Sequence, residues 1–298
     1  MKNGDLYLYG ATAPAMTRAM ETLTAAVEAL SSGEPSLTLS EGVTLFADHS
    51  LKTMSFNVYW DTADRARMEN VLATIRAHMP DTFGVQEATQ VWMNYLNEQL
   101  GEHYAYVGVG RNANGSGEYS AVFYRKDRLQ LVESDTLWLS DTPEVAGSRT
   151  EGADYPRVFT YALLELKATG QRFLHVNTHT DHVPNTSYNG ERVRLRQVNV
   201  ITSFLKERYP DTPTVLTGDL NDVKNSLPIE HLLSYGFEDS ADVAIGTDRA
   251  STFSTRVIDY IMVTKGDFTA YEYKVDVTRY NGEYPSDHRA IVLCYELK

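Results

Sequence analysis

The chain has 298 residues, and its 27 basic and 40 acidic side chains give a formal net charge of −13 at pH 7. Proteins that bind long nucleic acids carry basic stripes that displace condensed counterions, whereas this chain has no lysine-rich segment. The charge therefore disfavours long nucleic acids as partners and favours a compact substrate. The densest basic cluster, Arg192, Arg194 and Arg196, lies on a predicted helix, where a solvated helix face is more common than a phosphate site.

Apolar residues make up 42% of the chain, which is enough for a substantial core in one large domain or two ordinary ones. No apolar run approaches the roughly 20 residues of a membrane helix. Residues 1–10 lack a basic start followed by an apolar stretch, so no signal peptide is predicted. The lone Cys294 excludes an internal disulfide and disfavours zinc–thiolate sites and cysteine nucleophiles.

Residues 1–50 differ in pattern from the rest of the chain. Leu6–Tyr9 predicts a short strand, and Thr12 caps a predicted helix whose apolar positions recur at helical spacing up to Leu30. The Ser-, Gly- and Pro-containing stretch 31–35 ends that helix. Two interpretations stay open. The segment is either the trailing piece of a preceding domain, and so implies a covalent neighbour domain, or an N-terminal extension packed on the main domain.

Strands and helices alternate over residues 51–298. Strands are predicted around 54–58, 83–87, 104–109, 120–124, 158–166, 173–178, 215, 258 and 292, and helices around 68–79, 91–96 and 191–208. This alternation predicts one mixed, layered α/β domain. The connection from Asp141 to Pro156 exceeds ordinary loop length and predicts a loop on the substrate side.

Polar side chains interrupt or end six of the apolar strands. In chain order the strings are Ser55-Phe56-Asn57-Val58, Gly84-Val85-Gln86-Glu87, Val176-Asn177-Thr178-His179, Thr217-Gly218-Asp219-Leu220-Asn221, Val257-Ile258-Asp259-Tyr260-Ile261 and Ser286-Asp287-His288. Strand ends at the rim of a sheet hold reactive groups rigidly outside the core. We therefore expect the six strings to assemble into one site.

Glu87, Asp219, Asp259 and Asp287 would place four carboxylates in that site. Like charges at close range repel, so some of these groups would protonate unless a cation or an imidazolium compensates. An oxygen-rich set suits a hard divalent ion, Mg²⁺ or Mn²⁺, better than zinc. Taken alone, Glu87 would be interpreted as a surface acid that ends a strand.

The six strings, in this order, resemble the endonuclease/exonuclease/phosphatase superfamily, the metal-dependent phosphoesterases related to DNase I. The resemblance covers about residues 51–298. A bacterial branch is closer still, because its hallmark Asn-Thr-His-Leu-Asp-His is similar to residues 177–182, with Thr180 as the departure. Residues 117–126 and 137–140 also resemble that branch.

This resemblance implies a fold, a compartment and a metal site. The fold is a four-layer αββα sandwich, in which two packed, mainly antiparallel sheets are flanked by helices. The branch suggests an extracytoplasmic or secreted bacterial protein. The cofactor is Mg²⁺ or Mn²⁺, with Glu87 as its principal ligand and with Asn57 and Asp287 beside the metal or its waters.

The catalytic roles combine residue chemistry with the resemblance. Asp219 and Asn221 share a face of an extended chain, and an ionised Asp accepts a proton from water whereas an amide donates to phosphate. By resemblance the two residues act on the attacking water and hold the transition state; the alternative is a simple turn. His288 and Asp259 form the predicted imidazole–carboxylate pair, a charged donor to phosphate. By resemblance, His179 contacts the phosphate and assists the leaving group.

Further candidates surround the phosphate. By resemblance, Tyr119 matches a tyrosine that reaches it. Arg157 follows a proline just before a strand and suits bidentate phosphate binding, and Glu118 is a candidate substrate contact. Asp181 and His182 either take part in the site or brace its loop.

The leading hypothesis is an Mg²⁺/Mn²⁺-dependent phosphoric ester hydrolase, in which activated water attacks a phosphodiester or phosphomonoester of a compact substrate. Within the same fold, the alternatives are a nuclease or deadenylase, a sphingomyelinase-like phosphodiesterase, and an inositol-phosphate or nucleotide phosphatase. A non-catalytic binding module would be expected to have lost some acids or imidazoles, and none of the key positions is missing. Fold analogy alone does not choose among phosphate substrates.

Overall fold

The computed structural model describes the backbone of residues 7–9, 44–46, 50–182 and 190–298. The chain forms two compact units, residues 1–50 and 51–298. In the first unit, β1 (Tyr7–Tyr9) pairs antiparallel with β2 (Thr44–Phe46). The helix predicted after Thr12 lies outside the described residues, and both interpretations of residues 1–50 stay predictions.

The second unit alternates strands with helices, as the sequence pattern predicts. Its strands are β3 (Leu51–Asn57), β4 (Thr82–Ala88), β5 (Tyr104–Val107), β6 (Tyr119–Arg125), β7 (Leu129–Trp138), β8 (Val158–Leu166), β9 (Arg172–His179), β10 (Thr214–Asp219), β11 (Phe237–Asp239), β12 (Gly246–Asp248), β13 (Asp259–Thr264), β14 (Phe268–Val275) and β15 (Ile291–Leu297). Its helices are α1 (Arg65–His78), α2 (Gln90–Leu100), α3 (Gly190–Arg208), α4 (Leu227–Tyr235) and α5 (Ser240–Val243). Among the described residues, no helix is long and apolar enough to cross a membrane.

The strands form two mixed sheets. The order in the seven-stranded sheet is β12-β14-β15-β3-β4-β6-β5, and in the six-stranded sheet it is β11-β13-β10-β9-β8-β7. Most neighbouring strands are antiparallel, but β3 runs parallel to β4, β9 to β10 and β12 to β14. Because parallel strands end at the same edge, the first two of these pairs bring four of the polar strings to one rim.

Three apolar clusters separate four layers. Between the sheets, Val122 and Leu293 pack with Ala162 and Ile261. One further cluster lies between the seven-stranded sheet and helices α1 and α2, and another lies between the six-stranded sheet and helices α3 and α4. The predicted αββα sandwich is therefore confirmed.

A buried polar network also joins the two sheets. Asn177 Oδ1 accepts hydrogen bonds from Gln86 Nε2 at 2.7 Å and from Thr217 Oγ1 at 2.9 Å, and His175 Nε2 lies 2.8 Å from the same Thr217 oxygen. Gly84 faces this network, and a Cβ there would meet Asn177 Oδ1 at 2.3 Å. A glycine is thus required for the sheets to approach beneath the site.

Helix α1 shows why the helical predictions succeed. Asp64 caps it by accepting a hydrogen bond from Arg67 N, and the buried positions Val71 and Ile75 recur at helical spacing. The helix ends at Met79, whose φ of 45° is left-handed, just before a proline.

The solvated face predicted for the basic cluster on α3 is wrong at one position. Arg194 is only 2% exposed, and its Nε donates to Asp222 at 2.9 Å. Arg192 and Arg196 are exposed, as a solvated face requires. Arg194 therefore ties the helix to the loop after β10, next to the rim that carries Asp219.

Candidate active site

Three predicted residues, Asn57, His179 and His288, meet at one carboxylate oxygen, Oδ2 of the predicted Asp219. Asn57 Nδ2 donates to it at 3.0 Å, and the Nε2 atoms of His179 and His288 lie 3.5 and 3.6 Å away. Strand register explains this convergence, because Asp219 pairs with His179 across β9 and β10. Asp219 is only 1% exposed, so its charge depends on these neighbours rather than on water.

Glu87 reaches the same point through an irregular strand. The register of β4 against β6 shifts between Val85 and Ala88, and Glu87 itself has a φ of 59°. Such bulges re-aim a side chain, and left-handed backbone in a non-glycine residue is a strained conformation typical of functional sites. The Glu87 carboxylate accepts from Asn57 Nδ2 at 3.0 Å and from Trp60 N at 3.2 Å.

Asn57 turns its amide nitrogen, and not its amide oxygen, toward the carboxylates of Glu87 and Asp219. Its Oδ1 accepts from Tyr59 N at 3.1 Å, which turns Nδ2 toward both Glu87 and Asp219. This orientation gives Asn57 a positioning role toward both acids. Its expected place beside the metal or its waters stays a prediction.

His288 and Asp259 form a buried ion pair. His288 Nδ1 lies 2.9 and 3.1 Å from the two Asp259 oxygens, and Asp259 is paired with Asp219 in the register of β13 and β10. Ser286 fixes the approach, since its hydroxyl donates to Asn57 O at 2.7 Å and accepts from His288 N at 3.2 Å. Burial alone would lower the pKa of His288, but Asp259, and then Asp219, outweigh it and raise that pKa to about 10. The imidazole is therefore held as a cation.

Asn221 and His179 form a second group beside Asp219, and this group is uncharged. Asn221 has a φ of 50°, and its backbone N–H donates to Asp219 Oδ1 at 2.9 Å. Its Nδ2 donates to Thr180 O at 3.1 Å and lies 3.0 Å from His179 Nε2. Nε2 thus accepts, and the proton of the neutral ring belongs to Nδ1. Burial, and then the charges of nearby arginines, lower the pKa of His179 well below its usual value.

The acids are arranged as a divalent cation requires. Ligand atoms of Glu87, Asp219 and His288 lie within 4.8 Å of one another. Burial raises the pKa of Glu87 and, together with Asp259, that of Asp219. Because His288 is already a cation paired with Asp259, we assign the ligand role to the carboxylates and not to the imidazole. The residues present thus fit a hard divalent ion. Asp287 is exposed at the same cleft.

A pair of arginines, Arg111 and Arg157, lines the same cleft as the acids. Arg157 is buried, with Nη2 3.3 Å from His182 Nδ1, and Arg111 donates to Glu118 at 2.5 Å. His182 itself is half exposed. The sequence analysis missed Arg111, although an arginine seven residues before Glu118, just after a strand, was a usable signal.

Asp181 braces the long connection that precedes β8. Its Oδ2 accepts from Asp154 N at 3.1 Å and from Tyr155 N at 3.3 Å, while its own N–H donates to Gln197 Oε1 at 2.8 Å. Asp181 is fully buried. Of the two alternatives for this residue, the geometry favours bracing the loop, and the loop then carries Tyr155 to the edge of the site.

Most of the predicted site residues, but not Asn57, Asp181 or Asp259, line one open cleft of about 460 Å³. Its lining residues are Tyr59, Trp60, Glu87, Arg111, Glu118, Tyr155, Arg157, His179, His182, Asp219, Asn221, Phe253, Ile258, Asp287 and His288. Tyr119 is not among them: it is 7% exposed and its hydroxyl donates to Gln90 Oε1 at 2.6 Å. This hydrogen bond gives it no open donor toward the cleft, and a direct phosphate contact by Tyr119 would require that bond to break.

Comparison with known proteins places this site in a family. The model described as Endonuclease/Exonuclease/phosphatase family matches residues 54–288. The chain belongs to this family. The match covers the six polar strings almost from end to end, and it places the chain among the phosphoesterases and nucleases with this fold. The members of the endonuclease/exonuclease/phosphatase family are hydrolases of phosphate esters.

Several relatives are similar to this chain in structure or in sequence. A family member from Bacteroides vulgatus is 29% identical, with a TM-score of 0.77 over 84% of this chain and 99% of that one. A mannosyl-6-phosphatase from Bacteroides thetaiotaomicron is 28% identical, with a TM-score of 0.73 over 83% of this chain and 99% of that one. Protein angel of Drosophila melanogaster is 26% identical over 218 residues, or 67% of this chain, and the chain spans 59% of that relative's length.

Proposed function

We propose that this protein is a divalent-metal-dependent phosphoesterase that hydrolyses a small phosphate ester with water. One observation carries the proposal: Asn57, His179 and the His288–Asp259 pair all converge on the buried carboxylate of Asp219. A buried acid surrounded by one neutral imidazole and one charged imidazole can accept a proton while stabilising negative charge. A cluster with only a structural role would not need one imidazole to be neutral and the other to be charged.

Glu87 and Asp219, with Asp287 at the open side, would hold Mg²⁺ or Mn²⁺. When bound, such an ion neutralises negative charge on the phosphoryl oxygens and acts as a Lewis acid. Asn57 supports this site by donating to the buried carboxylate of Asp219 and to the half-buried carboxylate of Glu87.

The protein's own residues then divide the remaining work. Asp219, beside Asn57 and two imidazoles, accepts a proton from the attacking water. The bond between phosphorus and the leaving oxygen breaks as the new bond forms; the leaving oxygen takes a proton from solvent to give an alcohol, and Asp219 returns its proton to solvent. The imidazolium of His288 donates to a phosphoryl oxygen, where charge accumulates in the transition state. His179, which lines the same cleft, is proposed to contact the phosphate as well.

The substrate is proposed to be compact. The net charge of −13 disfavours a polyanionic polymer, and the cleft of about 460 Å³ suits a small molecule. Trp60 and Tyr155, 53% and 47% exposed, line the cleft and offer flat faces for a ring on the leaving group. The similarity to the mannosyl-6-phosphatase of Bacteroides thetaiotaomicron supports a phosphorylated sugar as the first compound to test.

A substrate panel tests the proposal. Turnover of p-nitrophenyl phosphate, bis-p-nitrophenyl phosphate, mannose 6-phosphate, nucleotides, sphingomyelin and single-stranded DNA would be measured with Mg²⁺, with Mn²⁺ and with EDTA. We expect a small ester to be hydrolysed with either ion, EDTA to abolish turnover, and Asp219→Asn to lower kcat by at least about 100-fold. Turnover that survives EDTA, or that is absent for every ester with both ions, would contradict the proposal.

A further inference from the structure

The two arginines of the cleft are held close to one carboxylate. Arg111 donates to Glu118 Oε2 at 2.5 Å, and Arg157 Nη1 lies 3.8 Å from the same oxygen. The guanidinium of Arg111 also lies over the Tyr155 ring, 4.6 Å from its centroid. Arg111 therefore has a carboxylate partner within hydrogen-bonding distance, whereas Arg157 only shares that carboxylate at a longer distance.

Arg157 has donors that the protein does not satisfy. It is 4% exposed, and among the described residues neither its Nε nor its Nη1 has a hydrogen-bond acceptor. The nearest carboxylate oxygens, from Glu118 and Asp181, are each 3.8 Å away, beyond hydrogen-bonding distance. Buried N–H groups of a charged side chain are costly when unpaired. An anion in the cleft would be the acceptor for these unpaired donors.

The arginines are near the reacting group, not at a remote end of the cleft. Arg157 and Arg111 line the same cleft as Asp219 and His288. A phosphate placed beside Asp219 and His288 in that cleft is therefore within the electrostatic reach of both guanidinium groups.

We propose that Arg157 and Arg111 bind the terminal oxygens of the scissile phosphate and thereby make this protein a phosphomonoesterase. The inference rests on the proposed function and specifies its substrate class. A monoester presents three terminal oxygens with about −1.5 to −2 charges, which match the fork of an arginine. In a diester, a second ester group replaces one of those oxygens and removes about one charge. It would leave buried donors of Arg157 unpaired, and a site built to hydrogen-bond an oxygen rejects the analogue that lacks it.

Paired esters test this inference. Each kcat/KM would be measured with p-nitrophenyl phosphate and bis-p-nitrophenyl phosphate, whose leaving group is the same. We expect the wild type to prefer the monoester. Arg157→Met should lower kcat/KM for the monoester by about 10- to 100-fold and for the diester by less than about 3-fold, so that the preference collapses. Arg111→Gln should act in the same direction. Arg172→Gln, an exposed arginine at the opposite end of β9, is the matched control and should change neither value.

A binding measurement separates recognition from turnover. Inorganic phosphate should raise the Tm of the wild type and of Arg172→Gln, but much less that of Arg157→Met. Arg157→Lys keeps a cation in the buried position and replaces the methionine variant if the latter does not fold. It should keep part of the shift but lose the monoester preference, since an ammonium lacks the planar fork.

Two outcomes are distinguishable failures. If the wild type hydrolyses both esters equally well, or if Arg157→Met loses both activities to the same extent, the monoester inference is overturned while the phosphoesterase stands. If the wild type hydrolyses neither ester with Mg²⁺ or Mn²⁺, the proposed function fails, and this inference fails with it.

Discussion

Disrupting the His288–Asp259 pair should abolish most turnover without removing the metal. The pKa of His288 rises from 6.5 to about 10, which corresponds to up to about 5 kcal/mol in favour of the charged imidazole. The carboxylate of Asp259, with both oxygens within 3.1 Å of Nδ1, is the strongest contributor that raises the value. Asp259→Asn therefore leaves a largely neutral ring at pH 7 and should lower kcat by about 10² to 10⁴-fold.

A double-mutant cycle decides whether the two residues act as one unit. Single-turnover and steady-state kcat would be measured for His288→Ala, Asp259→Ala and the double variant, with urea unfolding to show that each is folded. The double variant should lose little more than His288→Ala alone, within about 3-fold, because residues acting as a unit are not additive. Losses that add fully in log kcat would refute the pair.

A buried pair outside the cleft provides the control. His78 Nε2 lies 2.6 Å from Asp276 Oδ2, and both side chains are less than 10% exposed. His78→Ala should lower the free energy of unfolding by a similar amount to His288→Ala, yet keep kcat within about 2-fold. A loss of kcat in this control as well would mean that the assay reports general destabilisation.

Three further predictions concern the core, the pH dependence and the partner. Gly84→Ala should lower the free energy of unfolding in urea by about 2–4 kcal/mol, because its Cβ would meet Asn177 Oδ1 at 2.3 Å and Thr217 Oγ1 at 2.4 Å. Gly246→Ala, whose Cβ would make only an ordinary contact with Tyr271 O at 3.5 Å, should cost little, and equal costs would contradict this. Burial lowers the pKa of His175 to about 3, so the folded ring stays neutral while the unfolded ring binds a proton below about pH 6.5. As the pH falls between those values, His175 should lower the free energy of unfolding by about 1.4 kcal/mol for each pH unit, and His175→Asn should reduce the measured slope by that amount; an unchanged slope would count against it. Duplex DNA should be a poor substrate, and its weak binding should decrease as the salt concentration rises. Tight binding at physiological salt would contradict the inference that the net charge disfavours long nucleic acids.

The rim of the site was predictable because its strands obey simple rules. Asn57 and Glu87 follow from β3 and β4, and His179 and Asp219 from β9 and β10, each a parallel pair whose ends share an edge. The polar residues at the ends of these apolar strands were therefore expected to lie close together. The orientation of the Asn57 amide was not predictable, because it depends on the turn at Tyr59 that supplies the competing donor.

Three features were missed for different reasons: one has an irregular pattern, one had local signals that were not used, and one depends on packing that no local pattern encodes. β14 has the apolar alternation of a strand, but a bulge between Ala270 and Glu272 breaks its period of two, which hides it from a pattern search. α4 was detectable from its capping signals, with a serine before Leu227 and a glycine after Tyr235. The burial of Arg194 could not be read from its helix, because its partner Asp222 comes from a distant loop.

Calorimetric titration of Mn²⁺ into the wild type and Glu87→Gln tests the central claim most directly. The substitution keeps the shape and the hydrogen-bond reach of Glu87 but removes its charge, while Glu102→Gln, on the exposed surface, is the matched control. We predict that the wild type and the control bind one Mn²⁺ with equal affinity, and that Glu87→Gln binds it at least about 10-fold more weakly with a parallel loss of turnover. Unchanged Mn²⁺ affinity in a folded Glu87→Gln protein would contradict the metal site, and with it the proposed mechanism.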